Sequence, residues 1–350
     1  MNEHPRPFAP PPIPQPDPAL IEALNAKVAG LAKPVGALGR LEGLAVQLGA
    51  IQDRIDPCVE RVRAYVFAGD HGLNAEGVSA YPSSVTAAMV ATFLAGRASV
   101  NALAQACDVE VAVVDAGVDA DFDPEAAMVH AKIRRGSRNA AAEPALTPEE
   151  VAAALDQGVA LARSAAGEGV DALIPGEMGI GNTASAALIL HRLAPAALEA
   201  CIGAGAGHDA AGLERKRQVL ARAAARSNAV EPLDVLAEFG GLEIAMMTGL
   251  ILGAAAERRV ALVDGFISSV AALAAIRLAP EAQAYCVFSH ASAERGHAIL
   301  LQTLGAEPLL SLGLRLGEGT GGVLAAPILR AAARMLTGVA SLQDVLSGRL

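Results

Sequence analysis

Short apolar runs that end in glycine or a charged residue recur along the chain, and a helix-like segment follows most of them. The run RVRAYVFAGDHG (61–72) intersperses Val and Ala with larger side chains and stops at Gly69. Apolar runs of this length bounded by glycine predict strands, and strands alternating with helices predict parallel pairing. We therefore expect an α/β fold with a doubly wound parallel sheet flanked by helices. The other segments with this pattern are 109–117, 170–190, 259–276 and 284–304.

The two ends of the chain lack such strands. Residues 1–18 are rich in proline, which fixes φ and removes backbone donors, so they predict an extended arm. Apolar spacing predicts two helices within 19–58, the first ending near Pro34, and further helices within 323–350. We expect these terminal helices to form a smaller helical subdomain beside an α/β domain of residues 59–322.

Composition narrows the class of protein. The chain has 350 residues, 53% of them hydrophobic, which is enough for a sizeable core. A formal net charge of −10, no Trp and only three Tyr argue against nucleic-acid binding. Apolar runs such as IAMMTGLILGAAA are interrupted by glycine and too short for a membrane span, so they predict buried helices.

The cysteines and the N-terminus indicate the cellular compartment. The four cysteines lie far apart without a CxxC pair, so neither a zinc site nor a disulfide framework is expected. The N-terminus lacks the basic start and apolar core of a secretory signal. We therefore expect a cytoplasmic protein without a bound metal.

Two glycine-rich segments are candidate phosphate sites. In GEMGIGNTASAAL, three glycines precede Asn182 and Thr183, which we expect to cap an Ala-rich helix. Such a helix start can bind an anion, although a tight turn that serves packing alone is as good an explanation. In GAGAGHDAAGLERK, Lys216 could reach a phosphate or be an ordinary solvated charge. The glycines concerned are Gly176, Gly179, Gly181, Gly203, Gly205 and Gly207.

Several acids and histidines are candidates for chemistry. Glu318, in LRLGEGTGG, stands among four glycines, where a solvated surface charge is a poor explanation. A carboxylate desolvated in this way holds its proton more tightly, as a general base requires, and Glu177 and Glu243 have similar surroundings. Glu243 could equally be a charge at a helix N-terminus. Asp264, His71 and His290 end predicted strands, where they could bind a ligand; a turn cap for Asp264, and hydrogen bonds to backbone for the histidines, are the alternatives.

The chain closely resembles the nicotinate-nucleotide:dimethylbenzimidazole phosphoribosyltransferase family from about residue 33 to the C-terminal helices. The segments with this resemblance occur in the family's order: KPVGALGRLE, FAGDHGLNAEGVSAYPSSVT, GEMGIGNTASAA, GAGAGHDAAGL, GGLEIAMMTGLILGAA, DGFISSVAALAA and SHASAERGHAILLQTLGAEPLLSLGLRLGEGTGG.

The resemblance implies a Rossmann-like parallel sheet with a small helical domain, a homodimer, and no redox cofactor. It implies transfer of the phosphoribosyl group of nicotinate mononucleotide to 5,6-dimethylbenzimidazole, giving α-ribazole 5'-phosphate and nicotinate.

The same resemblance assigns roles to residues. Glu318 falls on the catalytic base, Glu177 lies in the active-site segment, and Lys216 lies near the substrate. The glycines listed above would contact the nucleotide phosphate, together with the helix start at Asn182 and Thr183. Ser79, Tyr81, Met178 and Leu316 would line the entrance or the base pocket.

Three positions depart from the family pattern: Ala88 stands where Gln is frequent, Ala206 where Thr is frequent, and Ala291 where Arg is frequent. Because these changes bear on the base and phosphate sites, another azole, purine or phenolic acceptor is an open alternative. So is a nucleotide-binding regulatory protein without turnover.

Overall fold

The computed structural model describes residues 8–203, 205, 207 and 209–349. Its centre is a six-stranded sheet in which every neighbouring pair is parallel, in the order β3-β2-β1-β4-β5-β6. The predicted parallel α/β fold is confirmed. The strands are β1 Val62–Gly69, β2 Glu110–Gly117, β3 Val129–His130, β4 Ala172–Met178, β5 Val260–Val263 and β6 Cys286–Phe288.

The order of the strands determines where a ligand can bind. From β1 the chain first adds strands on one side of the sheet and then, from β4, on the other. The connections that follow β1 and β4 therefore diverge, and they leave a crevice beyond the carboxyl ends of these strands. Residues that follow β1, β4, β5 and β6 are brought to this edge.

Helices cover both faces of the sheet. They are α1 Pro18–Ala29, α2 Arg40–Gln52, α3 Ser84–Leu94, α4 Ser99–Cys107, α5 Pro148–Gly167, α6 Asn182–Leu193, α7 Leu198–Cys201, α8 Ala210–Arg226, α9 Pro232–Phe239, α10 Leu242–Ala256, α11 Phe266–Leu278, α12 Arg295–Leu304, α13 Thr320–Gly338 and α14 Leu342–Ser347.

Helix α10 contains the run IAMMTGLILGAAA and is buried on all sides, as the sequence predicts. It packs closely on α5 because glycines lie at the contact. A Cβ atom at Gly158 would lie 2.1 Å from the carbonyl oxygen of Met246, and one at Gly249 would lie 2.1 Å from that of Leu155. The two backbones therefore touch directly, and side chains larger than hydrogen are excluded there.

The helices at the two ends of the chain pack together. Residues Leu31 and Ser341 form an isolated antiparallel bridge, and α13 packs on α2, α4 and β4. Helix α1 ends at Ala29, before the predicted Pro34, because the chain turns at Gly30. The predicted boundary between residues 322 and 323 falls inside α13. The division into an arm, a helical subdomain and an α/β domain stays a prediction.

The stretch Ser84–Cys107 is apolar and long enough to count as a candidate membrane span by length and composition. The chain turns between Leu94 and Ser99, so the stretch consists of α3 and α4. Each of these helices is shorter than the roughly 20 residues that a bilayer requires.

Candidate functional site

A cavity of about 390 Å³ opens at the carboxyl edge of the sheet, and loops after β4, β5 and β6 form much of its wall. This volume suits a small-molecule ligand. The structure brings these predicted site residues to its wall: Tyr81, Glu177, Met178, Gly179, Asn182, Thr183, Gly205, Leu316 and Glu318.

Glu318 lies in the wall on a tight turn just before α13. Residues Gly317, Glu318 and Gly319 all have positive φ, of 89°, 62° and 85°. This conformation suits glycine and is strained for a glutamate, a condition typical of functional sites. Burial raises the pKa of the Glu318 carboxyl; the N–H of Val100, which donates to Oε2 at 3.2 Å, lowers it, and the charge of Asp264 raises it further.

Glu177, the last residue but one of β4, faces the same cavity. Asn182 donates its side-chain N–H to Oε2 of Glu177. Burial nevertheless raises the pKa of Glu177 to about 8, although this hydrogen bond opposes the shift, and the nearby carboxylates of Asp264, Glu243 and Glu318 raise it too. At neutral pH Glu177 therefore holds a proton.

Asp264 and His290 follow β5 and β6 and also line the cavity. Asp264 Oδ1 accepts the N–H groups of Gly321 (2.7 Å) and Gly322 (3.0 Å), so it caps α13. The backbone N–H of Gly265, in the turn that follows Asp264, also bonds the carboxylate. Burial raises the pKa of Asp264, against the lowering effect of His290, whose Nε2 lies 3.6 Å from Oδ1. This cap connects the turn of Glu318 to the end of β5.

One part of the cavity wall is suited to an anion. Thr183 and Gly205 lie in its wall, and Lys216 donates to Thr183 Oγ1 (2.9 Å) and to the carbonyl of Gly203 (3.2 Å). Lys216 is fully buried, so its ordinary explanation as a solvated charge is wrong. Burial lowers its pKa to about 8, and the charge of Glu294 opposes this shift.

The predicted helix cap at Asn182 and Thr183 is wrong. Helix α6 has Gly181 as its N-cap, with φ of 96° and no side-chain hydrogen bond to the first turn. The side chains of Asn182 and Thr183 instead bond Glu177 and Lys216. The N-terminal amides of α6 are therefore not occupied by these side chains.

Another part of the cavity wall is apolar. Val85 and Met89 lie on one face of α3, and Tyr81 and Leu316 lie at the rim, where 48% and 55% of their surfaces are exposed. Such a wall is suited to a planar aromatic ring. Ser79 is not in the wall; its Oγ accepts the N–H of Tyr81 at 3.2 Å.

Four predicted glycines also lie outside the wall. A Cβ at Gly176 would lie 2.6 Å from the carbonyl oxygen of Glu318, and one at Gly203 would lie 2.2 Å from Glu294 Oε2. Gly207 lies beside the ring of Tyr81, and Gly181 serves as the α6 cap. Gly176 and Gly203 therefore allow neighbouring atoms to approach the backbone closely. Ala206 lies outside the described residues.

A buried pair lies behind the cavity. His71 Nε2 is 2.6 Å from Glu243 Oε1, and Nδ1 is 2.9 Å from Ser185 Oγ. Burial lowers the pKa of His71, but the charge and hydrogen bond of Glu243 outweigh it, so the pKa is raised. The expectation that His71 bonds to backbone is wrong; Glu243 does lie in the first turn of α10, as one alternative held.

The residues of the cavity wall that sequence reasoning missed include Arg315, Glu294, Val85 and Met89. Arg315 stands two residues before Gly317 in the segment that was singled out for Glu318, and this proximity could have indicated it. Val85 and Met89 are four residues apart, the spacing of one helix face. Within the described part of the chain, no group of three or more His, Cys, Asp or Glu side chains is placed to hold a metal ion.

Comparison with known proteins agrees with this geometry. A family model described as "Phosphoribosyltransferase" matches residues 13–345. A protein of Cupriavidus taiwanensis named nicotinate-nucleotide–dimethylbenzimidazole phosphoribosyltransferase is 52% identical over 95% of this chain and 96% of its own length. A protein of the same name from Deinococcus radiodurans is 49% identical over 91% of this chain and 90% of its own length.

A solved structure has the same fold. The crystal structure of CobT from Thermus thermophilus superposes with a TM-score of 0.90 at 43% identity, covering 94% of this chain and 98% of that one. Identity at this level over nearly the full length of both chains is far above that of a shared fold alone. The chain therefore belongs to the nicotinate-nucleotide:dimethylbenzimidazole phosphoribosyltransferase family.

Proposed function

We propose that this chain transfers the phosphoribosyl group of nicotinate mononucleotide to 5,6-dimethylbenzimidazole, giving α-ribazole 5'-phosphate and nicotinate, a step in making the lower ligand of cobalamin. One observation supports this proposal above all others. The buried carboxylate of Glu318 lies in the wall of a cavity whose wall has both an anion-suited part and an apolar part.

The reaction needs a base and little else by way of functional groups. The attacking nitrogen of the benzimidazole is nucleophilic when unprotonated, and the ring must lose its N–H proton as the new bond to C1' forms. In our proposal Glu318 takes that proton. Nicotinate leaves readily because its ring nitrogen is cationic in the nucleotide and neutral after departure.

The geometry of attack follows from holding the two rings on opposite faces of the ribose. Displacement from the face opposite to nicotinate inverts C1' and gives the α anomer. Holding both reactants in one cavity supplies much of the rate, because a bimolecular encounter becomes a step within one complex.

The anion-suited part of the wall would hold the 5'-phosphate. The start of α6 lies there, where the helix dipole favours negative charge, and Lys216 lies directly behind Thr183. In our proposal Gly176, Gly179, Gly203 and Gly207 contribute to phosphate binding, and Glu177 contributes to substrate binding in the same cavity.

The apolar part of the wall would hold the acceptor base, with Tyr81 and Leu316 at the mouth of the cavity and Met178 deeper. Ser79 would act indirectly, because its Oγ accepts the N–H of Tyr81 and so helps to position that residue. Ala88 is exposed on α3 and outside the wall, where Val85 and Met89 lie. Selectivity among benzimidazoles, purines and phenolics therefore depends, in our proposal, on Val85 and Met89 more than on Ala88.

We also propose that the enzyme acts in a reducing cytoplasm as a homodimer. All four cysteines are free thiols, and burial raises the pKa of Cys201 to about 11 and of Cys286 to about 12, so both stay protonated and unreactive. Exposed apolar side chains on α14, including Leu342 and Leu346, offer surface for association.

The first test is incubation of the purified protein with nicotinate mononucleotide and a panel of bases, dimethylbenzimidazole foremost. We expect release of nicotinate and formation of an α-riboside phosphate. If product forms only with a different base and not with dimethylbenzimidazole, that base is the acceptor and the proposed substrate is wrong. Nucleotide binding without product from any base would favour the regulatory alternative.

The matched variant for this test is Glu318→Gln. It keeps the size of the side chain and an oxygen acceptor but cannot take a proton. We expect binding of nicotinate mononucleotide to persist while turnover falls by about 100- to 10,000-fold. Unchanged turnover would show that another group is the base.

A further inference from the structure

Helix α4 begins without a cap of its own. Its N-cap residue is Ala98, whose methyl side chain cannot accept a hydrogen bond, although the first-turn N–H groups of a helix need acceptors. The side-chain Oδ1 of Asn101 accepts the N–H of Ala98 at 3.1 Å, but this N–H precedes the helix, so the bond does not satisfy the N–H groups of its first turn. The acceptor for Val100, the second helical residue, is Oε2 of Glu318, which lies 218 positions later in the chain.

The turn around Glu318 is held firmly enough to serve as that acceptor. Its backbone N–H donates to the carbonyl of Glu177 at 3.2 Å, and Thr320 Oγ1 donates to the carbonyl of Gly317 at 2.8 Å. Gly176 lies directly beneath, where a side chain would collide with the Glu318 backbone. The carboxylate therefore lies between the cavity and the start of α4.

The surrounding charges have opposing effects on this carboxylate. Asp264, Glu177 and Glu294 line the same cavity and favour the protonated form of Glu318 when they are ionised, whereas Arg315 and a protonated His290 favour the charged form. The N–H of Val100 and the positive end of α4 also favour the charged form.

We propose that the start of α4 is a positioning element for the general base: the Val100 N–H orients the carboxylate of Glu318 by donating to Oε2, and Glu318 in return caps α4. The first half of this inference rests on the proposed function, and the second half does not. Val100 acts through Glu318 and touches no substrate.

The orienting role is tested with Ala98→Ser. A serine at the N-cap accepts the N–H of the second or third helical residue, so it competes with Glu318 for Val100. Loss of that donor raises the pKa of Glu318, so the ionised base forms only at higher pH. We expect the acid limb of kcat/KM against pH to move up by about one pH unit, with the alkaline limb unchanged.

The matched control is Ser99→Ala, an exposed neighbour whose side chain is outside the cavity wall. It should keep the wild-type pH profile. An acid limb that stays in place in Ala98→Ser would overturn the orienting role, because a purely structural change lowers the rate without moving the limb.

The capping role is tested without turnover. Glu318→Gln keeps an acceptor for Val100, whereas Glu318→Ala removes it, so we expect Tm of the alanine variant to lie about 2 °C below that of the glutamine variant. Adding Ala98→Ser should restore Tm in the alanine variant and leave the glutamine variant unchanged. Equal Tm values without rescue would overturn the cap, whether or not any base is converted.

Discussion

Glu177 and Glu318 are two buried acids in one cavity wall, and their different hydrogen-bond donors separate their roles. Glu177 has the side-chain amide of Asn182, yet its pKa rises to about 8. Glu318 has the N–H of Val100 at a helix start, which opposes the effect of its burial. Two acids with different hydrogen-bond donors in one cavity are a common arrangement for proton transfer, and Glu318 is the base in our proposal.

The proton on Glu177 has a measurable effect on stability. The folded state keeps this proton between pH 4.5 and about 8, whereas an unfolded chain releases it near pH 4.5, so rising pH favours unfolding across this window. Glu177→Gln removes this pH-dependent loss of stability, because the amide does not titrate, and it retains an oxygen acceptor for Asn182. We expect the Tm of the variant to exceed that of wild type by an amount that grows from nothing near pH 4.5 to on the order of 5 °C near pH 8.

The control for this measurement is Glu125→Gln, which neutralises an exposed acid in a loop. Its Tm should follow that of wild type at every pH. A constant Tm difference between Glu177→Gln and wild type across the same window would mean that Glu177 is ionised throughout.

Single residues differ in how far sequence reveals them. Glycine neighbours were enough to single out Glu318, because few solvated loops combine one acid with four glycines. Lys216 was not distinguishable from a solvated charge, since its burial depends on the packing of α8 against α6. The pairing of His71 with Glu243 joins residues 172 positions apart, and no local pattern encodes it.

At the scale of elements, strand β4 supports the turn that presents Glu318. Gly176→Ala would place a Cβ 2.6 Å from the carbonyl oxygen and 2.7 Å from the carbonyl carbon of Glu318, so the turn must shift. Because misplacement by about 1 Å can cost about 100-fold in rate, we expect kcat to fall by about that factor in a folded protein.

The matched substitution is Gly167→Ala at the end of α5, where a Cβ meets nothing within 4 Å. It should leave kcat unchanged and stabilise the protein by about 0.5 kcal/mol. Wild-type kcat in Gly176→Ala would mean that the turn tolerates displacement and that its tight support is not needed for catalysis.

The elements that sequence predicted are those with strong local signals. β1, β2, β4, β5 and β6 follow apolar runs that end in glycine or polar residues. α4 was not singled out, and its structure explains why: its N-cap is Ala98, so the usual start signal is absent and the acceptor comes from a distant turn. β3 has two residues, too few for a pattern.

At the scale of the whole molecule, alternation of strands and helices predicted a parallel sheet but not its strand order. Which strands lie at the centre depends on how the connections cross, and local sequence does not encode this. The reversal between β1 and β4 is what gathers Glu177, Asp264, His290 and Glu318 around one cavity.

The proposed assembly can be measured directly. A chain of 35.4 kDa that forms a homodimer has twice that mass, about 71 kDa, and exposed apolar residues such as Leu346 support association. We expect light scattering coupled to size exclusion to give this mass at micromolar concentration and after tenfold dilution. A mass of 35.4 kDa at both concentrations would contradict the dimer.

The cap that Glu318 provides for α4 also determines when the start of this helix can be completed during synthesis of the chain. A ribosome adds roughly 5–20 residues per second, so the 218 positions between Val100 and Glu318 take about 10 to 40 seconds to translate. Throughout that interval the apolar stretch Ser84–Cys107 is made, but the carboxylate that accepts the N–H of Val100 in the folded protein is not. The start of α4 can therefore reach its native arrangement only when the last tenth of the polypeptide arrives.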